Sequence, residues 1–414
     1  MNEALEIGRL MCKPPAPSNF TLPDDLRDKL YCQAFKIVVP LHVAVFVNTA
    51  FLLLIFMAAA GNAAVMWIIA RHKTMRNGFN FFLFNMAFAD LMIAVLNVGT
   101  SWTFNLYYDW WYGSLCTPTS FFGIAPTSVS VFSMMALSWD RMKAVIHPLP
   151  NSTFSRKQAI IVISIIWIVS TLTALPNTIF ATVKEFWFYN PRFDSIEITH
   201  SCTSELDHNH NKVINYILFV TQYAVPLTVI VYIFGRIYYE LYISAEAALK
   251  ECKGASANRA KAVKMLAVMV GAFGFSWLPY HMYHTFELSE YFPQSDDTSE
   301  YTYLAIYWIA MSTTVYNPII YCLVNERFRL GFRYVFRWLP FVHCSRGEYE
   351  YSQLFPERMR SMEISLQLSG RQGRRVSSNC QYLTASQKAY LSKVPMNYQH
   401  IDYQRSRKTY RNDL

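Results

Sequence analysis

Four polar residues stand in otherwise apolar surroundings: Asn62 directly after Gly61, then Asp90, Ser130, and Asn317 directly before Pro318. A carboxylate or amide is costly to place in hydrocarbon, so each is a candidate functional group. One could be incidental; four on separate segments predict a hydrogen-bonded interior cluster able to hold a cation or a proton. The same stretches contain no His/Glu metal pattern and no nucleophile paired with a base, which points away from an enzyme.

The elements that must carry these residues are seven apolar stretches, at 38–70, 79–107, 117–146, 158–180, 213–242, 262–286 and 301–323. Each exceeds the roughly 20 residues that a helix needs to cross about 30 Å of hydrocarbon. Backbone groups in lipid must pair internally, so each stretch is read as a helix. The predicted fold class is therefore all-α membrane: a seven-transmembrane helix bundle. Only 16% of the 414 residues are charged, against about 25% in soluble domains. Pro176, Pro226, Pro279 and Pro318 each remove a backbone donor and predict kinks.

Charge sets the expected orientation. Arg71, His72, Lys73 and Arg76 fill the first gap, and Lys143 at the end of segment three joins Arg156 and Lys157 around the third; Lys250, Lys253, Arg259 and Lys261 lie in the fifth. The gap between segments six and seven carries Glu287, Glu290, Asp296, Asp297 and Glu300 and no base. Basic loops stay cytoplasmic, so the N-terminus is expected outside and the C-terminus inside. Residues 325–414 carry 16 Lys/Arg and 7 Asp/Glu, an excess equal to the net charge of +9 for the whole chain. Lying against the anionic inner leaflet, this charge is read as membrane-facing, with lipid and not nucleic acid as its partner. Residues 1–40 show prolines and mixed charge but no apolar signal core, so segment one is expected to act as its own insertion signal.

The expected organisation is an extracellular N-terminal tail at 1–37, the helical bundle at 38–324, an interfacial helix at 325–341 and a structureless cytoplasmic tail at 342–414. In the interfacial stretch Arg327, Arg329, Arg333 and Arg337 alternate with Phe328, Leu330, Phe332, Val335 and Phe336, a pattern suited to a helix lying in the membrane plane. Cys344 follows it and is a candidate for palmitoylation. Asn19 in Asn19-Phe20-Thr21 is a glycosylation acceptor on the expected outside. Cys116 and Cys202 fall in the same oxidising compartment and are expected to pair. Cys12 and Cys32 lie there too, and nothing in their spacing decides between pairing and free thiols. Ser377 and Ser378 follow Arg374 and Arg375, a basic context suited to a kinase.

The order of motifs from 38 to 341 resembles the rhodopsin-like G-protein-coupled receptors: Gly61-Asn62, Met86-Ala87-Phe88-Ala89-Asp90, Trp111-Tyr112-Gly113 with Cys116, Asp140-Arg141-Met142, Trp167, Pro226, Phe273 with Trp277-Leu278-Pro279, and Asn317-Pro318-Ile319-Ile320-Tyr321. The resemblance implies an allosteric sodium site at Asp90 and Ser130 near Asn317, with no other cofactor. It implies that Trp277 and Phe273 couple ligand to movement of segment six. It implies that Arg141, held at rest by Asp140, engages a G protein, and that Tyr321 swings inward to support Arg141 on activation. Such a bundle is a two-state device that a ligand biases from outside. Two positions depart from the pattern: Met142 replaces the usual Tyr, and Phe234 stands where a Tyr is expected eight residues after Pro226. Arg259 replaces an acid that can lock Arg141, which raises the expectation of high basal activity.

Gly123 stands where amine receptors carry an Asp, and Met311 where opsins carry a Schiff-base Lys, so neither class fits. The runs Asn85-Met86-Ala87-Phe88-Ala89, Trp277-Leu278-Pro279-Tyr280-His281, Tyr303-Leu304-Ala305-Ile306 and Tyr316-Asn317-Pro318-Ile319-Ile320-Tyr321-Cys322 are similar to tachykinin receptors, as is Asn325-Glu326-Arg327-Phe328-Arg329-Leu330-Gly331-Phe332. That resemblance implies an amidated peptide ligand contacted by Asn97, His281 and Tyr303. Ser101, Phe104, Tyr108, Thr119, Asn177 and Asn215 occupy further contact positions with altered residues, as expected of a diverged, invertebrate member. It also implies a Gq-type G protein acting through phospholipase C and calcium, with receptor kinases and arrestin at the tail. The rival readings are a receptor for a neuropeptide Y-like or orexin-like ligand and, more remotely, a seven-helix transporter.

Overall fold

The computed structural model describes residues 2–12, 30–32, 39–146, 153–240, 253–285 and 297–358. Six helices are continuous and apolar enough to cross a membrane: Leu41–Arg71, Gly78–Tyr107, Gly113–Ile146, Arg156–Ile179, His208–Tyr238 and Val263–Thr285. The seventh span is broken at Ser312 into Asp297–Met311 and Thr313–Val324. Ser312 closes the joint by donating its hydroxyl to the Ile309 carbonyl at 2.6 Å, and Pro318 follows within the second half.

The outward faces carry the apolar surplus. Along the fourth span Ile160, Ile161, Ile165, Ile168 and Leu172 are all exposed. A contiguous apolar strip of this kind on several helices fits lipid and not water as the surrounding solvent. Polar residues turn inward, and Asn62, Asp90, Ser130, Ser133, Asp140, Gln222 and Asn317 are buried.

Two spans contain a wide turn: Ile93–Val98 in the second and Val220–Ala224 in the fifth. Such an extra residue rotates the helix beyond it and is common at functional sites. Pro226 sits two residues after the second bulge, in the first turn of Val225–Tyr238, where the missing backbone donor is least costly.

The expectation of an all-helical chain needs one addition. Strand β2 (Ala181–Asn190) and strand β3 (Ser195–Ser204) form an antiparallel hairpin between the fourth and fifth spans, and β1 (Leu30–Tyr31) adds to β2 in parallel. Their alternation of Phe, Trp, Tyr, Val, Ile and Thr favours a half-buried strand. Asp194 takes a φ of 50° in the turn, and its carboxylate receives the Tyr189 hydroxyl at 2.7 Å and pairs with Arg9 of helix Asn2–Cys12. Disulfides join Cys116 to Cys202 and Cys12 to Cys32, so the second pair, left open by the sequence, is closed.

At the opposite end, helix Glu326–Val335 buries Phe328 and Phe332 against the bundle, leaving its arginines outside. It ends before the expected 341. The chain expected to lack structure from 342 instead folds through residue 358: helix Arg346–Glu350 docks Tyr349 beneath His72 of the first loop, and Leu354 beyond it is buried, its carbonyl accepting from Thr74 at 3.2 Å. Tyr349 stacks on Tyr334 with ring centroids 3.6 Å apart. The sequence hid this because the segment's charges are used locally, in Arg333–Glu348, Arg346–Glu350 and Arg358–Glu350 pairs.

Candidate functional site

The polar cluster forms from three helices. The Ser130 hydroxyl donates to one oxygen of the Asp90 carboxylate at 3.1 Å, and the Asn317 amide to the other at 2.8 Å. A cavity of about 20 Å³ adjoins them, lined also by Thr127, Phe273, Trp277 and Thr313, and is of the size that takes one water or one small ion. Asn62, expected in the same cluster, is used differently: its amide donates to the carbonyls of Ala58 and Thr314, both at 2.9 Å. It clips the first span to the kinked seventh, repairing backbone groups near Pro318.

Trp277 roofs this cavity, and its indole donates to Thr313 at 3.1 Å. Phe273 lies one turn below with ring centroids 5.8 Å apart, and Tyr223 reaches from the fifth span to donate to the Gly274 carbonyl at 2.8 Å. The sixth span is thus tied to the fifth and seventh at the level where Pro279 weakens its backbone.

Above Trp277, towards the hairpin, aromatic and histidine rings pack into a cluster, the candidate ligand bowl. His281 is buried, with ring contacts to Tyr223, Trp277 and Phe219, and its Nε2 has no hydrogen-bond partner. Tyr303 contacts Tyr283 at 5.0 Å and the ring of His284 at 5.6 Å. His284, whose Nε2 is likewise without a partner, was not expected from the sequence. Its signal was nonetheless visible, as a second histidine three residues after His281 on the same helical face.

Asn97, Ser101 and Thr119 also come together. The Asn97 amide donates to the Thr119 carbonyl at 3.2 Å and faces the Ser101 hydroxyl at 3.4 Å, while its oxygen accepts from Tyr307 at 3.2 Å. Thr100 bonds Thr119 across the same gap at 3.0 Å. A Cβ at Gly123 would meet Asn97 Nδ2 at 2.8 Å, so glycine there is a packing requirement of this knot. Asn177 lies half-buried near the end of the fourth span and shares none of these contacts. Gln222, in the bulge of the fifth span, is a further residue the sequence reading missed; it donates to Ser128 at 2.8 Å and to the Ile124 carbonyl at 3.3 Å.

On the far side of the bundle Arg141 pairs with Asp140 at 2.6 Å, and the other Asp140 oxygen accepts from the Phe154 backbone at 2.7 Å. Tyr321 is fully buried, its ring 5.5 Å from that of Phe328 and its hydroxyl without a partner. Cys344 sits half-buried beyond helix Glu326–Val335. Asn19 lies outside the described residues, as do Ser377 and Ser378.

A bundle of this kind, with a tryptophan over a polar cavity and a paired arginine on the face away from the hairpin, defines a class of membrane receptor. Residues 61–321 match the profile of the 7 transmembrane receptor (rhodopsin family), and the chain belongs to that family of G-protein-coupled receptors. It is 52% identical over 377 residues to the probable G-protein coupled receptor tkr-1 of Caenorhabditis elegans, covering 91% of this chain and 89% of that one. Identity to the human substance-P receptor is 36% over 309 residues, covering 73% and 72% of the two chains. Identity to the substance-P receptor of Aquarana catesbeiana is 35% over 328 residues, covering 77% and 76%. Within the family it is a tachykinin-like receptor, and so not an enzyme.

Proposed function

We propose that the protein is a plasma-membrane receptor, N-terminus outside, for an amidated tachykinin-like neuropeptide, and that it signals through a Gq-type G protein, phospholipase C and calcium. The observation that carries the ligand reading is the bowl above Trp277. Aromatic rings supply apolar area there, and His281 and His284 present nitrogens with no partner among the described residues. A peptide's C-terminal amide has both a donor and an acceptor to offer such groups, whereas an unpaired polar group left in the bowl would be penalised. Asn97, Ser101 and Thr119 then shape the wall next to Tyr303, and Asn177 the outer rim.

In this reading ligand pressure on Trp277 shifts the sixth span, and Arg141 meets the G protein once it leaves Asp140. Asp90, Ser130 and Asn317 would hold a sodium ion that favours the resting packing; the donor set of one carboxylate and neutral oxygens beside a one-ion cavity fits a hard monovalent cation. The tail is read as the ground for receptor kinases and arrestin, with Cys344 as its lipid attachment.

The test is binding to membranes from cells expressing the full chain. Amidated peptides should bind in the nanomolar to micromolar range, and their free-acid forms at least about tenfold more weakly. His281→Ala at normal surface expression should lower affinity; unchanged affinity would make His281 a packing residue only.

A further inference from the structure

Arg141 is held from two directions, and only one of them is its neighbour Asp140. Its guanidinium carbon lies 3.9 Å from the centre of the Phe79 ring, which projects from the start of the second span. Among the described residues Nε of Arg141 is buried without a hydrogen-bond partner, and the ring face and the Asp140 carboxylate are what stabilise the cation. The sixth span offers no alternative, because helix Lys253–Thr285 contains neither Asp nor Glu. Among the described residues, then, no acid on that helix restrains the arginine, and the ties run to the second span and to the loop before the fourth.

That loop is fixed by the same short segment. Phe154 donates its backbone N–H to Asp140, packs its ring 5.5 Å from that of Phe82, and brings its carbonyl against Gly78, where any added Cβ would collide with it. Gly78 and Phe79 are adjacent residues at the first turn of the second span. One segment therefore sets both sides of the Asp140–Arg141 pair: Gly78 admits the Phe154 carbonyl, which places the N–H on Asp140, and Phe79 covers Arg141.

We infer that Gly78 and Phe79 are positioning residues of the resting state, an aromatic clamp that does for Arg141 what an acid on the sixth span would do. A cation over an aromatic face in a largely desolvated setting is stabilised electrostatically by the ring quadrupole. Leucine at 79 retains apolar volume and loses that quadrupole. Alanine at 78 retains helix and pushes Phe154 away from Asp140. This inference rests on Arg141 being the G-protein-facing switch, and it opposes the expectation that Arg259 makes the receptor active at rest.

The experiment measures basal nucleotide exchange on a panel of co-expressed Gα subunits, without peptide and normalised to surface receptor, for the full chain. Phe79→Leu and Gly78→Ala are each expected to raise basal exchange about three- to tenfold. Phe79→Tyr, which keeps the ring, is expected to remain at the wild-type level, and Phe79→Met, as small as leucine and without a ring, to rise like Phe79→Leu. A fluorescent probe on the inner end of the sixth span supplies a second readout, reporting outward movement with no G protein present. Basal exchange and probe signal of Phe79→Leu both at the wild-type level overturn the clamp, as does a rise in Phe79→Tyr equal to that in Phe79→Leu. If Phe79→Leu fails to reach the surface, the comparison of Gly78→Ala with wild type decides, an unchanged signal counting against the clamp. A probe response with no exchange on any Gα keeps the clamp and sinks the G-protein reading instead.

Discussion

The side-chain amide of Asn317 donates to the Asp90 carboxylate at 2.8 Å across 227 residues of chain, and Ser130 satisfies the second carboxylate oxygen. The second, third and seventh spans are thus joined at a single buried charge. Removing one partner from such a network leaves a desolvated group exposed to the cavity, so the three residues act as a unit. Asp90→Asn removes the charge and leaves a side chain of the same shape. In the wild type, replacing potassium by sodium is expected to lower agonist affinity about fivefold, a coupling of the ordinary size between two sites. In Asp90→Asn the affinity should be indifferent to sodium. Sodium dependence equal to the wild type would show that the cation acts elsewhere.

Gly123 and Asn97 make a second coupled pair. Gly123→Ala forces the Asn97 amide off Thr119 and Tyr307, and peptide potency should fall about tenfold. Asn97→Ala alone should also weaken potency. In the double variant the second change removes the collision, so the combined loss should be smaller than the sum of the two. Strict additivity in the double-mutant cycle would show that the two sites do not share this space.

The docked tail gives a pH-dependent prediction. The Ile68 carbonyl can only accept from His72 Nδ1, at 2.7 Å, so Nε2 of the neutral ring accepts from the Tyr349 hydroxyl at 2.7 Å. Burial, reinforced by Arg71, lowers the His72 pKa below its ordinary 6.5, and burial pushes Tyr349 up to about 12. The group with the lowered pKa in the docked state is a base, so docking is fully favoured above pH 6.5 and weakens as pH falls through the lowered value. Hydrogen exchange of residues 346–354, corrected for intrinsic rates, should show protection at pH 7.5 that declines at pH 5.5. His72→Ala leaves the Tyr349 hydroxyl unpaired, and opening should become about 5- to 150-fold more frequent, the equivalent of roughly 1–3 kcal/mol. Protection unchanged in His72→Ala would place the docking energy in the aromatic stacking alone.

The helical bundle was legible in the sequence because lipid imposes one rule on every span: long apolar runs with costly polar exceptions. Asp90, Ser130 and Asn317 announced themselves by that cost, and the structure joins them. Asn62 obeyed the same rule for a different reason, since backbone repair beside a proline and cluster formation both call for a buried amide. The hairpin, the wide turns at Ile93–Val98 and Val220–Ala224, and the contact of Phe79 with Arg141 were not legible. Each depends on which residues from distant segments meet, and a phenylalanine in an apolar run gives no sign of the cation it will cover. The folded tail was missed because its charges suggested solvation, whereas three of its ion pairs are local.

The claim that the bowl above Trp277 receives an amidated peptide and drives a calcium response is tested most directly in cells expressing the intact chain. Intracellular calcium is recorded on addition of a panel of amidated tachykinin-like peptides and their free-acid counterparts, with Arg141→Ala as the uncoupled control. At least one amidated peptide should raise calcium in the wild type, its free acid should be at least about tenfold less potent, and Arg141→Ala should not respond. Equal potency of amide and acid forms, or responses confined to non-amidated ligands, would contradict the account.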